Sequence, residues 1–298
     1  MTKLTPLVIF VTLLFVNFSS AIAQQSETEN WASTVQNEFR VIPNITYHQA
    51  NGVELKIDVY QPRNQSGPSP TFVYYHGGGW VAGSKDANVL RLIPYLEKGW
   101  AVVNVQYRLG NVSLAPAAVE DSLCALRWVG RNADEYGFDR DRIVTSGNSA
   151  GGHLALTTGM IPNEAELDRQ CIGNETPRVA AIVNWYGITD VGDLLDGPNQ
   201  KGYAVRWLGA QSNKNAIAQR VSPLEYVRTG LPPIISIHGD ADPTVPYDHA
   251  VRLHQGLNRA DVVNELITIP NGLHGGFPAE EMERIYDAIF SFLGTNIE

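Results

Sequence analysis

The sequence predicts an α/β fold: a mostly parallel central sheet with helices on both faces and an antiparallel hairpin at its N-terminal end. Three observations point there. Beyond about residue 70, short apolar runs alternate with segments of helical period, at the spacing that crossover connections need. Those runs are mostly apolar, as strands covered on both faces require. The composition, 44% hydrophobic and 18% charged over 298 residues, suits a globular chain long enough for one large core.

The elements follow in order. Residues 1–23 stand apart: Lys3 supplies a positive start, residues 7–16 are apolar apart from Thr12, and Ala21-Ile22-Ala23 precedes Gln24. That order reads as a secretory signal cleaved before Gln24, leaving residues 24–298 as one exported domain, periplasmic or extracellular. The apolar run is shorter than the ~20 residues of a membrane-spanning helix, so no stable membrane anchor is expected. Residues 45–47 and 53–60 flank Ala50-Asn51-Gly52, and Leu55, Ile57 and Val59 alternate with polar neighbours, which makes the hairpin. Residues 71–75 and 101–107 read as strands; between them Val89, Leu92, Ile93 and Leu96 mark a helix that stops at Gly99. A long helix runs from Pro116 to about Tyr136 and ends at Gly137. Then come a strand at 143–145, a helix at 150–160, strands at 179–185 and 233–237, a helix at 247–257, a strand at 265–269 and a closing helix at 280–293. One stretch breaks this rhythm. Residues 188–230 exceed a normal connection and read either as a small lid or wall at the sheet edge or as a helical excursion packed beside the sheet.

The strongest chemical signal is Gly147-Asn148-Ser149-Ala150-Gly151, set between a predicted strand and a predicted helix. A serine on such a sharp turn exposes its hydroxyl above the carboxyl edge of the sheet, and the helix that follows points its positive end at it. Ser149 is therefore the expected nucleophile. An earlier strand ends in His76-Gly77-Gly78-Gly79-Trp80. Acyl transfer builds negative charge on a carbonyl oxygen, and a glycine run bares backbone N–H groups to receive it. Gly78, Gly79 and Ala150 are the expected oxyanion donors, and the His76 ring is expected to brace the loop.

A serine hydroxyl needs a base, and seven histidines compete. His48 falls in the hairpin, His249 and His254 in a helix, and His238 at a strand end; His153 should point from its helix into the core. His274 lies in the Gly-rich loop after the last strand, which gives a Ser…Asp…His chain order. The acid belongs to the loop after the preceding strand, where Asp240 and Asp242 both stand.

With these residues placed, the chain resembles the bacterial feruloyl/acetyl-xylan esterase-like branch of the α/β-hydrolases, often called BD-FAE-like, close to the hormone-sensitive-lipase-like esterases. The resemblance runs from about Val53 to Phe277. Besides the serine and glycine motifs, it rests on Asp58-Val59-Tyr60-Gln61-Pro62, Gly83-Ser84-Lys85, Gln106-Tyr107-Arg108-Leu109, His238-Gly239-Asp240-Ala241-Asp242-Pro243-Thr244-Val245-Pro246 and His274-Gly275-Gly276-Phe277. It implies the α/β-hydrolase fold and Asp242 as the acid. It also implies cofactor-free hydrolysis of carboxylic esters with small acyl groups, among them acetyl or feruloyl groups on plant polysaccharides. The lipase-like group carries a D-P-L segment at the acid and often a large N-terminal cap; this chain departs from both, so a big lid is not expected.

Trp80, Trp185, Tyr186 and Trp207 could line a pocket for an aromatic acid or a sugar, or could cap the core. Cys124 and Cys171 are the two cysteines; in an exported chain they either pair or stay as buried thiols, and neither has metal-ligand spacing. A net charge of −9 argues against nucleic acid or an anionic membrane as the main partner and leaves a small-molecule or polysaccharide-linked ester. A formamidase, a small serine peptidase and a catalytically dead binding module are the rival readings. Oligomeric state has no signature in the sequence.

Overall fold

The computed structural model describes residues 29–64 and 66–297; the expected signal segment, residues 1–23, lies outside the described residues. Eight strands form one sheet: β1 (Phe39–Ala50), β2 (Val53–Pro62), β3 (Ser69–Tyr75), β4 (Ala101–Val105), β5 (Phe138–Asn148), β6 (Val179–Trp185), β7 (Ile234–Gly239) and β8 (Asn264–Ile269). Their order is β1-β2-β4-β3-β5-β6-β7-β8. The β1/β2 and β2/β4 pairs are antiparallel, and every pair from β4/β3 to β7/β8 is parallel. The hairpin thus forms the antiparallel end of a parallel sheet, and β1 and β2 turn at Asn51 and Gly52.

The period-2 geometry of the strands sorts their side chains into two cores. Val73 and Tyr75 of β3 join Val103 and Val105 of β4 on one face, under the helices Ala117–Arg131, Ala150–Met160 and Asp248–Arg259. Phe72 and Tyr74 turn to the other face and meet Tyr95, Ile285, Ile289 and Phe292 from the helices Ile93–Glu97 and Ala279–Asn296. Burial on both sides explains the nearly unbroken apolar runs.

Several boundaries differ from the sequence-based expectation: the first strand spans Phe39–Ala50 rather than residues 45–47, and the fourth ends at Val105 rather than 107. The long helix breaks: Ala117–Arg131 ends where Asn132 turns its Nδ2 back onto the Trp128 carbonyl at 2.7 Å, and one further turn, Ala133–Tyr136, leads to left-handed Gly137. An asparagine that bonds nearby backbone competes with the helix ladder in this way. The fifth strand starts at Phe138, well before residue 143, because its polar opening residues are largely exposed and carry no apolar signal. Cys124, in the helix, and Cys171, in the loop before β6, are joined as a disulfide with Cα atoms 4.9 Å apart.

Candidate active site

The elbow is built by strand and helix meeting with no spacer. Asn148 ends β5 and Ala150 begins the next helix, so Ser149 alone makes the turn, at φ +57° and ψ −121°. A non-glycine residue is strained there, so its surroundings must fix it. The Ser149 N–H donates to the Trp185 carbonyl of β6 at 2.9 Å, and its carbonyl accepts the His153 N–H at 3.0 Å. The helix also passes hard against β3: a Cβ on Gly151 would lie 2.0 Å from the Tyr75 carbonyl oxygen. That close approach sets the serine beside the loop that leaves β3.

In that loop Gly78 has φ +122°, and a Cβ there would fall 2.0 Å from the Ala82 oxygen. The Gly78 carbonyl accepts N–H groups from Val81 and Ala82, at 3.1 and 3.0 Å, which closes a tight turn. Among the described residues no acceptor takes the N–H of Gly78, Gly79 or Ala150. His76 stacks on Tyr107 with ring centroids 4.3 Å apart and donates Nδ1–H to Gly77 oxygen at 2.7 Å. Burial pushes its pKa down to about 4, so the ring is a neutral brace at physiological pH.

The loop's far end is tied by a buried ion pair. Lys85 Nζ lies 2.7 Å from Asp58 of β2, with both side chains nearly sealed from solvent. The Lys85 N–H donates to Gln106 Oε1 at 2.9 Å, and its carbonyl accepts Asn104 Nδ2 at 2.7 Å. Just after β4, Arg108 grips buried Asp121 of the following helix through Nε and Nη2. The motif residues Asp58, Lys85, Gln106 and Arg108 thus act as scaffold for the glycine loop.

The candidate base and acid come from the loops after β8 and β7. His274 Nδ1 donates to Asp242 Oδ2 at 2.6 Å. Oδ1 of the same carboxylate accepts the N–H groups of Thr244 at 2.7 Å and Val245 at 3.1 Å, and His238 Nε2 stands 3.3 Å from Oδ2. Burial opposes the charge, but the hydrogen bonds from His238 and His274 outweigh it and hold the carboxyl well below the usual carboxylate range. Asp240 faces away from this group: its Oδ1 accepts the exposed Asn271 N–H at 2.6 Å and so braces the turn after β8. Ser149 and His274 line one cleft of about 480 Å³ together with Gly78 and Gly79. The Tyr186 ring packs 4.7 Å from the His274 ring.

Of the two readings open for Trp80, Trp185, Tyr186 and Trp207, the structure favours core capping over pocket lining: none of the four lines the cleft, and all are buried. Trp80 stacks on Trp207 at 4.1 Å and donates its indole N–H to His153 Nδ1, while Trp185 packs toward Tyr286 on the opposite face. Their large apolar rings are satisfied in the core, and the Trp80 indole N–H finds a buried partner there. The cleft is walled instead by Val81, Ala82, Asn88, Asn148, Tyr203, Arg206 and Thr244. Tyr203 and Arg206 belong to the 188–230 stretch, whose helices Gly202–Leu208 and Lys214–Arg220 pack into the core through Ala204, Trp207, Leu208, Ile217 and Ala218. The anomalous length of that stretch was the one sequence signal for these wall residues. Among the described residues no group of three or more His, Cys, Asp or Glu side chains is placed to hold a metal.

This geometry has known relatives. Esterase LipC of Mycobacterium tuberculosis is 26% identical over 230 residues, which covers 74% of this chain and 56% of that protein. The chain spans about half the length of the curated relatives it matches. Among solved structures, esterase 2 of Thermogutta terrifontis superposes with a TM-score of 0.71 at 27% identity, covering 86% of this chain and 94% of that one. A truncated carbohydrate esterase from gut microbiota shares the fold, with a TM-score of 0.72 at 24% identity over 86% of this chain and 96% of its own. The family model described as BD-FAE matches residues 57–257, a span that holds the elbow, the glycine loop and the acid loop. With that match and this architecture, the chain belongs to the BD-FAE family of α/β-hydrolase-fold proteins.

Proposed function

We propose that the protein is a serine hydrolase of carboxylic esters that works through an acyl-enzyme. The observation that carries this reading is the 2.6 Å bond from His274 Nδ1 to Asp242, beside a cleft that Ser149 and the glycine loop also line. With Nδ1–H engaged by the carboxylate, Nε2 is the free acceptor of the imidazole. Nε2 takes the Ser149 proton as Oγ attacks the ester carbonyl. The carbonyl oxygen gains the negative charge, which the N–H groups of Gly78, Gly79 and Ala150 receive. His274 then gives the proton to the departing alkoxide, and the C–O bond breaks to leave the acyl-enzyme and an alcohol. Water repeats the sequence, giving its proton to Nε2 and its oxygen to the acyl carbon, and Ser149 leaves protonated.

The walls favour short acyl groups. Among the described residues Tyr203 is the one Phe, Tyr or Trp side chain that lines the cleft, so a feruloyl ring has little to stack on, and a small acyl group such as acetyl needs no such platform. The cleft is open to solvent, which suits an alcohol that is a sugar, including one in a plant polysaccharide. A protein with the leader of residues 1–23 would meet such substrates outside the cytoplasm.

The test is a panel of p-nitrophenyl acetate, butyrate and longer esters, methyl ferulate and acetylated xylan, with an aminoacyl anilide and N-formylkynurenine for peptidase and formamidase activity. The expected order is acetyl ahead of longer chains and of ferulate, with Ser149→Ala losing on the order of 10⁴-fold to 10⁶-fold in turnover. No ester turnover, or a Ser149→Ala variant that keeps a tenth of wild-type activity, would sink the proposal.

A further inference from the structure

Among the described residues, Arg206 is the one permanently charged side chain that lines the cleft. It sits in the helix Gly202–Leu208, one turn after the wall residue Tyr203, and is exposed. Its guanidinium lies over Gly202, where a Cβ would come within 3.4 Å of Nη1, and no described carboxylate pairs with it. The chain as a whole has 31 acidic residues against 22 lysines and arginines, so the charge at the cleft wall is opposite to the net charge of the protein. Some surface guanidinia find an acid, as Arg140 finds Asp134 and Arg284 finds Glu281, and others, such as Arg63 and Arg259, find none among the described residues; what sets Arg206 apart is its place in the cleft wall.

The nearby groups leave the charge unneutralised. Lys201, at the cap of the same helix, adds a second cation, which donates to the Pro243 carbonyl at 2.8 Å, next to the wall residue Thr244. The Asp242 carboxylate makes no pair with Arg206: its oxygens are taken by His274 and by the N–H groups of Thr244 and Val245. A cleft lined by one sign of charge focuses its field on an incoming ligand. A guanidinium also presents a planar fork that matches a carboxylate with two parallel hydrogen bonds.

We propose that Arg206 is a specificity-determining residue that selects esters bearing a second, anionic group, a carboxylate above all. The inference rests on the ester hydrolase reading and narrows its substrate class. The carboxylate can sit on the alcohol, as in an acylated uronate sugar, or on the acyl chain, as in a dicarboxylic half-ester.

Two matched pairs separate those sources. Para-acetoxybenzoate against its methyl ester places the charge on the alcohol; p-nitrophenyl hydrogen glutarate against p-nitrophenyl valerate places it on the acyl chain. In at least one pair, wild type should favour the anionic member in kcat/KM by about fivefold, the scale of one exposed charge pair. Arg206→Gln should collapse that ratio through KM, Arg206→Lys should restore part of it, and raised salt should shrink it in wild type. The pair that responds tells which side of the ester carries the anion. Absence of preference in both pairs, or equal changes for both members in Arg206→Gln, overturns the role of Arg206 and leaves the hydrolase reading intact. If wild type hydrolyses neither neutral nor anionic esters, the hydrolase reading fails and takes this proposal with it.

Discussion

Replacing Asp242 by asparagine keeps the size of the side chain and removes its charge. The carboxylate takes Nδ1–H of His274 on one oxygen and two backbone N–H groups, from Thr244 and Val245, on the other. An asparagine can keep the backbone bonds through Oδ1, but its Nδ2 then faces His274 Nδ1 as a donor. The imidazole must answer with an acceptor at Nδ1, which moves its proton to Nε2, where the serine proton has to go. Turnover of p-nitrophenyl acetate near neutral pH should fall by about 10⁴-fold, or about 5 kcal/mol of transition-state stabilisation. Asp240→Asn is the control: its exposed bond to the Asn271 N–H can be made by an amide oxygen, so activity should persist. The same charge predicts a pH effect. Because the folded protein holds the Asp242 carboxyl below the usual range, the group contributes stability above about pH 4 and loses it as the pH falls toward the lower folded value. The gap in thermal midpoint between wild type and Asp242→Asn should therefore narrow below about pH 4. Loss of activity in a well-folded Asp240→Asn with an active Asp242→Asn would reverse the assignment, and two active variants would put the orienting group elsewhere.

Two further predictions concern the scaffold. Lys85→Met strands the Asp58 carboxylate, whose side chain is only 5% exposed, and should lower stability in urea by about 3–5 kcal/mol; a loss below about 1 kcal/mol would mean the pair does not brace the loop. Opening the Cys124–Cys171 bridge, which spans a sequence separation of 47, should remove about 4 kcal/mol by the loop-entropy argument, read as a lower urea midpoint of the Cys124→Ser/Cys171→Ser variant, and an unchanged midpoint would refute it.

What was legible in the sequence follows from how local each signal is. The central strands announced themselves because both faces are buried, and the closing helix because Ile285, Ile289, Phe292 and Leu293 recur on one face. The elbow was legible because its pattern occupies five consecutive residues, although the clash its glycines relieve is largely against the Tyr75 carbonyl of β3. The choice between Asp240 and Asp242 was not local. Both leave β7 in the same short loop, and what separates them is which one meets His274, 32 residues further along. The wall residues were hidden for the same reason, since Tyr203 and Arg206 reach the cleft only through packing between distant segments. Large aromatic residues near the motifs suggested a platform, but a tryptophan's sequence neighbourhood does not say which face of the sheet it occupies.

The buried tryptophans have a consequence for the 188–230 stretch. Its helix Gly202–Leu208 sets Trp207 flat on Trp80, directly after the glycine loop, and Trp80 in turn bonds His153 of the elbow helix. Tyr203, on the same helix, packs where a Cβ on Gly79 would lie 2.7 Å from its own Cβ, and its hydroxyl donates to the Thr244 carbonyl at 3.0 Å, two residues past Asp242. One short helix therefore touches the glycine loop directly, the helix after Ser149 through Trp80, and the loop that carries Asp242. The glycine loop and the elbow leave paired strands, with Tyr75 opposite Gly147, but the loop that carries Asp242 leaves β7, which pairs with neither β3 nor β5. A flexible flap could not set its spacing from the other two, whereas a helix held by two fully buried tryptophan rings can. Trp80 and Trp207 thus position the part of the cleft wall that carries Tyr203 and Arg206.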